Sequence, residues 1–306
     1  MYQQHFNLRE APFSLTPDPD FFYNCTGHQQ ALNVLLVALE GGEGLIKITG
    51  EVGTGKTLLC RKLLVALAND FQTAYLPNPL LKPFELYQAL AEELNIRIPR
   101  GTTMHDLVKL LTEQLVVLRQ KGRKAVLCID EAQAMPQESL EALRLLSNLE
   151  TEKQKLLQIV VFAQPELDAL LESNDLRQLR QRITFSYDLP VLDREAVTGY
   201  VHHRLQVAGH KDGRLFEPAA LDAVHRASRG IPRLVNILFH KAMMAAYGQG
   251  QSIVAQQQVK AATSDTEDAA PLSRSLATGN SFYVMIGIIT LLEVVRVLYL
   301  LRSVLP

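Results

Sequence analysis

The stretch Gly50-Glu51-Val52-Gly53-Thr54-Gly55-Lys56-Thr57 matches the phosphate-binding pattern G-x-x-x-x-G-K-[ST] at every fixed position. Residues 45–49 before it, three of them apolar, predict a short buried strand, and residues 58–67 after it predict a helix. Glycines at three of its positions allow the tight bends that turn backbone N–H groups inward, towards phosphate oxygens. A glycine-rich turn followed by a chance Lys-Thr is the alternative, and the flanking strand and helix argue against it.

The residue types in this loop have separate chemical roles. Lys56 reaches the β- and γ-phosphates, the Thr57 hydroxyl is a ligand for Mg²⁺, and the N-terminus of the following helix faces the same phosphates. We therefore predict that ATP and Mg²⁺ are the cofactors. The predicted nucleotide-binding residues are Gly50, Glu51, Val52, Gly53, Thr54, Gly55, Lys56, Thr57 and Leu58.

A second apolar run, residues 125–129, ends in the two carboxylates Asp130 and Glu131. A buried parallel strand has this composition where its carboxyl end reaches a ligand. Asp130 is placed to hold Mg²⁺, directly or through water, and Glu131 to act as the general base on the attacking water. A solvated strand end is the alternative interpretation.

Gln164 follows another apolar run, residues 156–163. If that strand lies beside the strand of residues 45–49, the Gln164 amide is near the γ-phosphate and senses it or positions the water. The alternative is that the amide only caps the helix that begins at Pro165.

Three arginines, Arg177, Arg180 and Arg182, precede the predicted strand over residues 183–189. A run of charge is usually a solvated face. The other interpretation is an arginine finger that acts on the nucleotide of a neighbouring subunit, with Arg180 and Arg182 as the candidates.

From residue 193 onward the apolar periodicity is helical, over residues 195–207, 218–227 and 234–247. A small helical lid on an α/β core would place the nucleotide at their junction. Arg233, at the start of the third helix, could reach back to that nucleotide. The aromatic and proline-rich residues 1–25 predict an ordered loop; His28, just after them, either lines the adenine pocket or packs in the core.

Composition narrows the class of protein. The 306 residues carry a net charge of −1 with a pI near 6.7, which argues against a chain built mainly to coat nucleic acid. Three widely spaced cysteines follow no metal-binding spacing and indicate a reducing, cytoplasmic compartment. The first residues have no signal-peptide pattern.

The C-terminal residues change character twice. Residues 264–280 predict a flexible acidic linker, and residues 281–301 are hydrophobic except for Glu293 and Arg296. A helix of that length crosses a hydrocarbon layer of about 30 Å, so we predict a C-terminal membrane anchor; an amphipathic helix on a partner or on the membrane surface is the alternative. The predicted divisions are a core at 1–190, a lid at 191–263, the linker, and a tail at 281–306.

These motifs make the chain similar to the AAA ATPase family of ExeA/GspA from general secretion, and within it most similar to the MshM-type members that serve assembly of the mannose-sensitive haemagglutinin pilus. The resemblance covers residues 1–263. It is carried by Pro12 to Pro19, Phe21 to Tyr23, His28, Gly50 to Arg61, Asp130 to Gln133, Gln164 to Leu167, Leu179 to Arg182 and Gly230 to Arg233.

The resemblance implies phosphate contact for Lys56, metal ligation for Thr57 and Asp130, the base role for Glu131, and sensor roles for Gln164 and Arg233. Long relatives continue into a periplasmic peptidoglycan-binding domain, which this sequence does not show, so we expect no peptidoglycan binding. A hydrophobic tail is a departure, because short MshM-like chains need not have one.

We therefore expect an α/β P-loop NTPase of the AAA+ type, with a parallel sheet core, a C-terminal helical lid and a hydrophobic tail helix. The expected function is ATP hydrolysis by a homo-oligomeric ring that supports a bacterial secretion or pilus machine. Its expected partners are inner-membrane secretion or pilus assembly proteins, and its ATPase domain faces the cytoplasm. Two alternatives stay open: a DNA-associated AAA ATPase of the initiator or transposition-helper type, and a slow nucleotide-dependent scaffold.

Overall fold

A computed structural model of the chain describes residues 2–16, 18–151, 154–210 and 215–272. The strands are β1 (Leu45–Thr49), β2 (Phe71–Leu76), β3 (Lys124–Ile129), β4 (Leu157–Ala163) and β5 (Ile183–Asp188). The helices are α1 (Tyr2–His5), α2 (Thr26–Gly41), α3 (Lys56–Leu67), α4 (Pro83–Glu93), α5 (Met104–Gln120), α6 (Gln137–Leu146), α7 (Glu166–Leu171), α8 (Arg177–Arg180), α9 (Arg194–Val207), α10 (Pro218–Ser228), α11 (Pro232–Gly248) and α12 (Gln256–Ser264). Short 3₁₀ turns lie at Pro19–Phe21 and Ala132–Ala134.

The described strands form one parallel sheet in the order β2-β3-β4-β1-β5. This confirms the predicted parallel core. Thr49 pairs with Ala163, so Gly50 and Gln164 leave neighbouring strands side by side. β3 is next to β4 on the other side, and its carboxyl end opens at the same edge. Topology alone therefore brings the phosphate loop, the two carboxylates after β3 and the amide after β4 to one place.

Both faces of the sheet are covered, which explains why the central strands β1, β3 and β4 are mainly apolar rather than alternating. One face packs against α2 and α3, with Ile46 and Ile48 of β1 in that core. The other face packs against α4 to α8, with Ile159 and Val161 of β4 in that core. Every residue of β1 and β4 is buried, so both strands that carry the loop and the amide are held rigidly.

The N-terminal segment, described over residues 2–16 and 18–25, contains the short helix α1 and a 3₁₀ turn where a loop was predicted, and it is attached mainly to the later helices. Arg9 N donates to Ala208 O at 2.8 Å, and the Phe13 ring stacks on Phe239 with centroids 5.2 Å apart. Arg204 Nε of α9 donates to the carbonyl of Pro12. The segment therefore lies against α9 and α11 before the chain enters α2.

The structure shows contacts in the first part of the predicted flexible linker at residues 264–280. Asp265 forms an ion pair with Lys241 of α11 at 2.8 Å, and Ala270 N donates to Ala227 O of α10 at 2.8 Å. Residues 265 and 270 therefore contact the helices, the first through its carboxylate and the second through its backbone N–H. The sequence periodicity also missed α12, which packs on α10 and α11.

The predicted tail at residues 281–301 and the rest of the predicted linker, from residue 273 on, lie outside the described residues. Within the described part, none of the helices combines the length and the apolar character needed to span a membrane.

One tight turn sets the position of α11. Gly230 has φ +76°, and a Cβ atom there would lie 1.9 Å from Leu192 O; Leu192 N also donates to Gly230 O at 2.9 Å. Gly230→Ala should lower the free energy of unfolding by about 2 kcal/mol or more, because the backbones at both residues must move. Urea denaturation measures this.

Gly248→Ala is the matched control, because a Cβ at Gly248 meets nothing within 4 Å. It should leave stability unchanged or raise it by up to about 1 kcal/mol. Equal midpoints for Gly230→Ala and the unmutated protein would contradict the account of this turn.

Candidate functional site

A cavity of about 450 Å³ lies between the phosphate loop, the N-terminal segment, α9 and α11. This volume is typical of small-molecule sites. Of the predicted site residues, those that line it are Val52, Gly53, Thr54, Gly55, Lys56, Thr57, Leu58, Glu131 and Arg233. The structure thus joins the loop, one of the two carboxylates and one arginine of α11 around a single cavity.

The carbonyl groups of the phosphate loop accept hydrogen bonds from the loop's own lysine and from two residues outside the loop. Lys56 Nζ donates to Gly50 O at 2.7 Å and Glu51 O at 3.0 Å, Arg233 N to Gly53 O at 3.2 Å, and His28 Nε2 to Thr54 O at 3.0 Å. The N–H groups of residues 55–58 precede the first helical bond, from Leu59 N to Gly55 O at 3.0 Å. Those N–H groups are therefore available to an anion.

Lys56 is buried beneath the loop. Loss of hydration lowers the pKa of its ammonium group, and the nearby carboxylates of Glu131 and Asp130 oppose this effect. A desolvated ammonium bonded to neutral carbonyls lacks an anionic partner in hydrogen-bond contact. A phosphate oxygen would supply that partner.

Asp130 and Thr57 are adjacent at the base of the site. Burial raises the pKa of the Asp130 carboxyl, and a hydrogen bond with the Thr57 hydroxyl opposes this. The described residues contain no group of three or more His, Cys, Asp or Glu side chains able to hold a metal ion. Two protein oxygens fit Mg²⁺, which usually takes few protein ligands and completes its shell with phosphate and water.

Glu131 is held in an unusual conformation. Its φ is +53°, in the left-handed region that non-glycine residues rarely occupy. Its Oε2 accepts hydrogen bonds from Gln133 Nε2 at 2.5 Å and from Gln164 Nε2 at 2.9 Å. Gln133 Oε1 in turn accepts from Gln164 N at 3.0 Å. Two amides thus fix one carboxylate oxygen, while Oε1 has no hydrogen-bond partner within the described structure.

These contacts argue against the capping interpretation of Gln164, and its role as a sensor or in positioning water stays a prediction. The N-cap of α7 is Pro165, and the Gln164 amide bonds to Glu131 rather than capping the helix. Sequence reasoning assigned no role to Gln133. Its position two residues after the carboxylate, on the same turn, was the available signal.

The arginines fall into two groups. Arg233 lies against the loop: a Cβ at Gly53 would be 2.5 Å from its Cβ. Arg180, the last residue of α8, and Arg182, just before β5, are exposed and do not line the cavity. Their backbone N–H groups bond to Leu176 O and Leu179 O, but neither guanidinium group has a hydrogen bond or an ion pair with another described residue. The fold does not bring them to the phosphate loop of the same chain.

The far end of the cavity is formed by side chains that sequence reasoning did not assign. Arg204 is 7% exposed, donates from Nη1 to Tyr200 Oη at 2.9 Å, and lies 4.8 Å from the centroid of the Phe21 ring. Tyr200 Oη donates to Asn236 Oδ1 at 2.9 Å. The i, i+4 spacing of Tyr200 and Arg204 on α9 was the only local signal. His28, for which two roles were open, both lines the cavity and bonds to the loop.

A family model described as AAA domain matches residues 39–171. General secretion pathway protein A of Aeromonas hydrophila is 42% identical over 250 residues, which is 82% of this chain. The chain is therefore a relative of this protein with an AAA domain, and the resemblance to the ExeA/GspA-type AAA family expected from the sequence motifs is confirmed. The finer MshM-type assignment stays a prediction. The chain spans about half the length of that relative, 46% of it.

Solved structures of other proteins share the fold. Cdc6p from Pyrobaculum aerophilum matches with a TM-score of 0.64 and 20% identity, over 83% of this chain and 70% of that one. The ORC2 protein of Aeropyrum pernix, in ADPNP and ADP complexes, matches with a TM-score of 0.60 and 18% identity, over 88% and 74%. At these identities the likeness concerns the fold alone.

Proposed function

We propose that this protein is an Mg²⁺-dependent ATPase that hydrolyses ATP in the cavity described above. The arrangement of Glu131 carries the proposal. Its carboxylate lines the cavity beside the phosphate loop, with one oxygen fixed by two amides and the other without a hydrogen-bond partner among the described residues. A group held in this way suits a general base.

In the proposed reaction the loop binds and the carboxylate accepts a proton. The free N–H groups of residues 55–58 and the Lys56 ammonium hold the phosphate oxygens, and Thr57 and Asp130 hold the metal. A Mg²⁺ ion held there would supply charge neutralisation to the phosphate groups. Glu131 Oε1 takes a proton from water as the water oxygen bonds to the γ-phosphorus and the bond to the β-bridging oxygen breaks. Gln164 and Gln133 keep the carboxylate in place.

Two substitutions separate binding from chemistry. Glu131→Gln keeps the size of the side chain and removes the base, so hydrolysis should fall about 10²–10⁴-fold while ATP binding persists. Lys56→Ala should instead weaken nucleotide binding, because the charge that faces the phosphates is gone. Steady-state phosphate release and fluorescent-nucleotide titration measure the two effects. Near-normal turnover by Glu131→Gln would exclude it as the base, and absence of turnover in the unmutated protein would favour a scaffold.

We further propose that the protein acts as a homo-oligomeric ring in which Arg180 or Arg182 reaches the nucleotide of the next subunit. Both guanidinium groups are exposed and lie beside β5. β5 is an edge strand of the sheet, and Phe185 on it is 41% exposed. An exposed edge with unpaired cations beside it suits contact with another copy.

Mixing experiments test this arrangement. The double mutant Arg180→Ala, Arg182→Ala and the mutant Glu131→Gln should each be slow, and mixing them should restore part of the activity, because one type of interface then has both the arginines and the base. An arginine finger supplied in trans contributes about 10³–10⁵ in rate. Arg177→Ala is the matched control: Arg177 is equally exposed at the start of α8, and its loss should leave turnover unchanged. Failure to complement, with turnover per subunit independent of concentration, would contradict the ring.

The cellular role follows from the family. We propose that the ATPase supports a bacterial secretion machine of the type named for the Aeromonas relative, with an MSHA-type pilus machine as the finer assignment. The helices α9 to α12 act as the lid over the nucleotide, and residues 281–301 attach the cytoplasmic domain to the inner membrane. The nearly balanced charge supports this role over a nucleic-acid partner.

A further inference from the structure

The His28 side chain joins α2 to the phosphate loop. It is 6% exposed, its Nδ1 lies 2.7 Å from Cys25 Sγ, and its Nε2 lies 3.0 Å from Thr54 O. A carbonyl oxygen only accepts, so Nε2 carries the hydrogen of this bond. In the neutral ring Nδ1 is then an acceptor, and the Cys25 thiol donates to it. Burial, which lowers the pKa of His28, keeps the ring neutral.

The loop fits closely around this histidine. Gly55 has φ +99°, and a Cβ atom at Gly55 would lie 2.8 Å from His28 Nε2. The Phe22 ring meets His28 edge to face at 6.1 Å, and Lys62 of α3 lies 3.8 Å from the centroid of the Phe22 ring. The imidazole therefore has a single position, between the N-terminal segment and the loop.

The hydrogen bond from His28 to Thr54 O restricts the direction of the Gly55 N–H group. In a trans peptide the C=O and the following N–H point in opposite directions. When His28 holds the Thr54 carbonyl on one side, the Gly55 N–H must point to the other side. Gly55 N–H is the first of the free N–H groups that precede the helix, so its direction matters for phosphate binding.

We propose that His28 is a positioning residue for nucleotide binding: it orients the Thr54–Gly55 peptide so that the Gly55 N–H faces the phosphates, and Cys25 selects the tautomer that does this. The proposal rests on the proposed ATP binding and adds two residues outside the loop motif. A role in packing alone would require the shape of the imidazole but not its Nε2 donor.

Calorimetric titration with ADP tests whether nucleotide binding depends on the Nε2–H donor of His28. His28→Phe fills the space without a donor and should weaken ADP binding about tenfold, the value of one hydrogen bond that serves a charged ligand. His28→Gln places an amide donor near the Nε2 position and should bind within about threefold of the unmutated protein. With ATP, the same variants should change KM more than kcat. Cys25→Ser should bind ADP like the unmutated protein, and Cys25→Ala more weakly.

The outcomes are distinct. Equal affinity in His28→Phe and the unmutated protein, or equal weakness in His28→Phe and His28→Gln, would overturn the positioning role while leaving ATP binding intact. An unmutated protein that binds no ADP would instead overturn the proposed function.

A second measurement uses only the unmutated protein, so it does not depend on whether a variant folds. Nitrogen-15 NMR of the histidine ring in the unmutated full chain should show His28 neutral, with its hydrogen on Nε2 and Nδ1 bare. A hydrogen on Nδ1 would overturn the proposal, because Thr54 O would then lack its donor.

Discussion

Buried backbone groups must find hydrogen-bond partners, and the phosphate loop meets this requirement asymmetrically. Its carbonyl groups accept hydrogen bonds from Lys56, from Arg233 of α11 and from His28 of α2. The N–H groups of residues 55–58 have no acceptor among the described residues. A peptide loop in this arrangement presents a concave surface of donors. The shape of the site therefore depends on two elements outside the strand–loop–helix unit. One is α2, which carries His28, and the other is α11, which carries Arg233.

The parallel sheet places the other functional side chains around that loop. Strands that run in one direction end at one edge, so the loop after β1, the carboxylates after β3 and the amide after β4 converge without any long-range sequence signal. The left-handed conformation of Glu131 then turns its carboxylate towards the cavity, where two glutamine amides hold it. The mostly buried strand β3 and the buried strand β4 beside it hold this backbone conformation in place.

Sequence reasoning found the parts of the site whose chemistry is local. The loop, Asp130 and Glu131 each belong to a short motif at a strand end, so residue type and spacing were sufficient. The roles of Gln133, His28 and Arg204 depend on tertiary contacts, which residue type and local spacing do not establish. The contacts of residues 264–270 went unpredicted for the same reason. An acidic composition suggests solvation, but Asp265 has a lysine partner on α11 and Ala270 a carbonyl on α10.

The proposed nucleotide site depends most on phosphate binding by the N–H groups of residues 55–58. Titration of the nitrogen-15-labelled protein with MgADP, followed through its backbone amides, measures this directly. The amide protons of these residues should move downfield and saturate at one nucleotide per chain, because each gains a charged acceptor. Saturable binding that leaves these amides unmoved and shifts another region would contradict it.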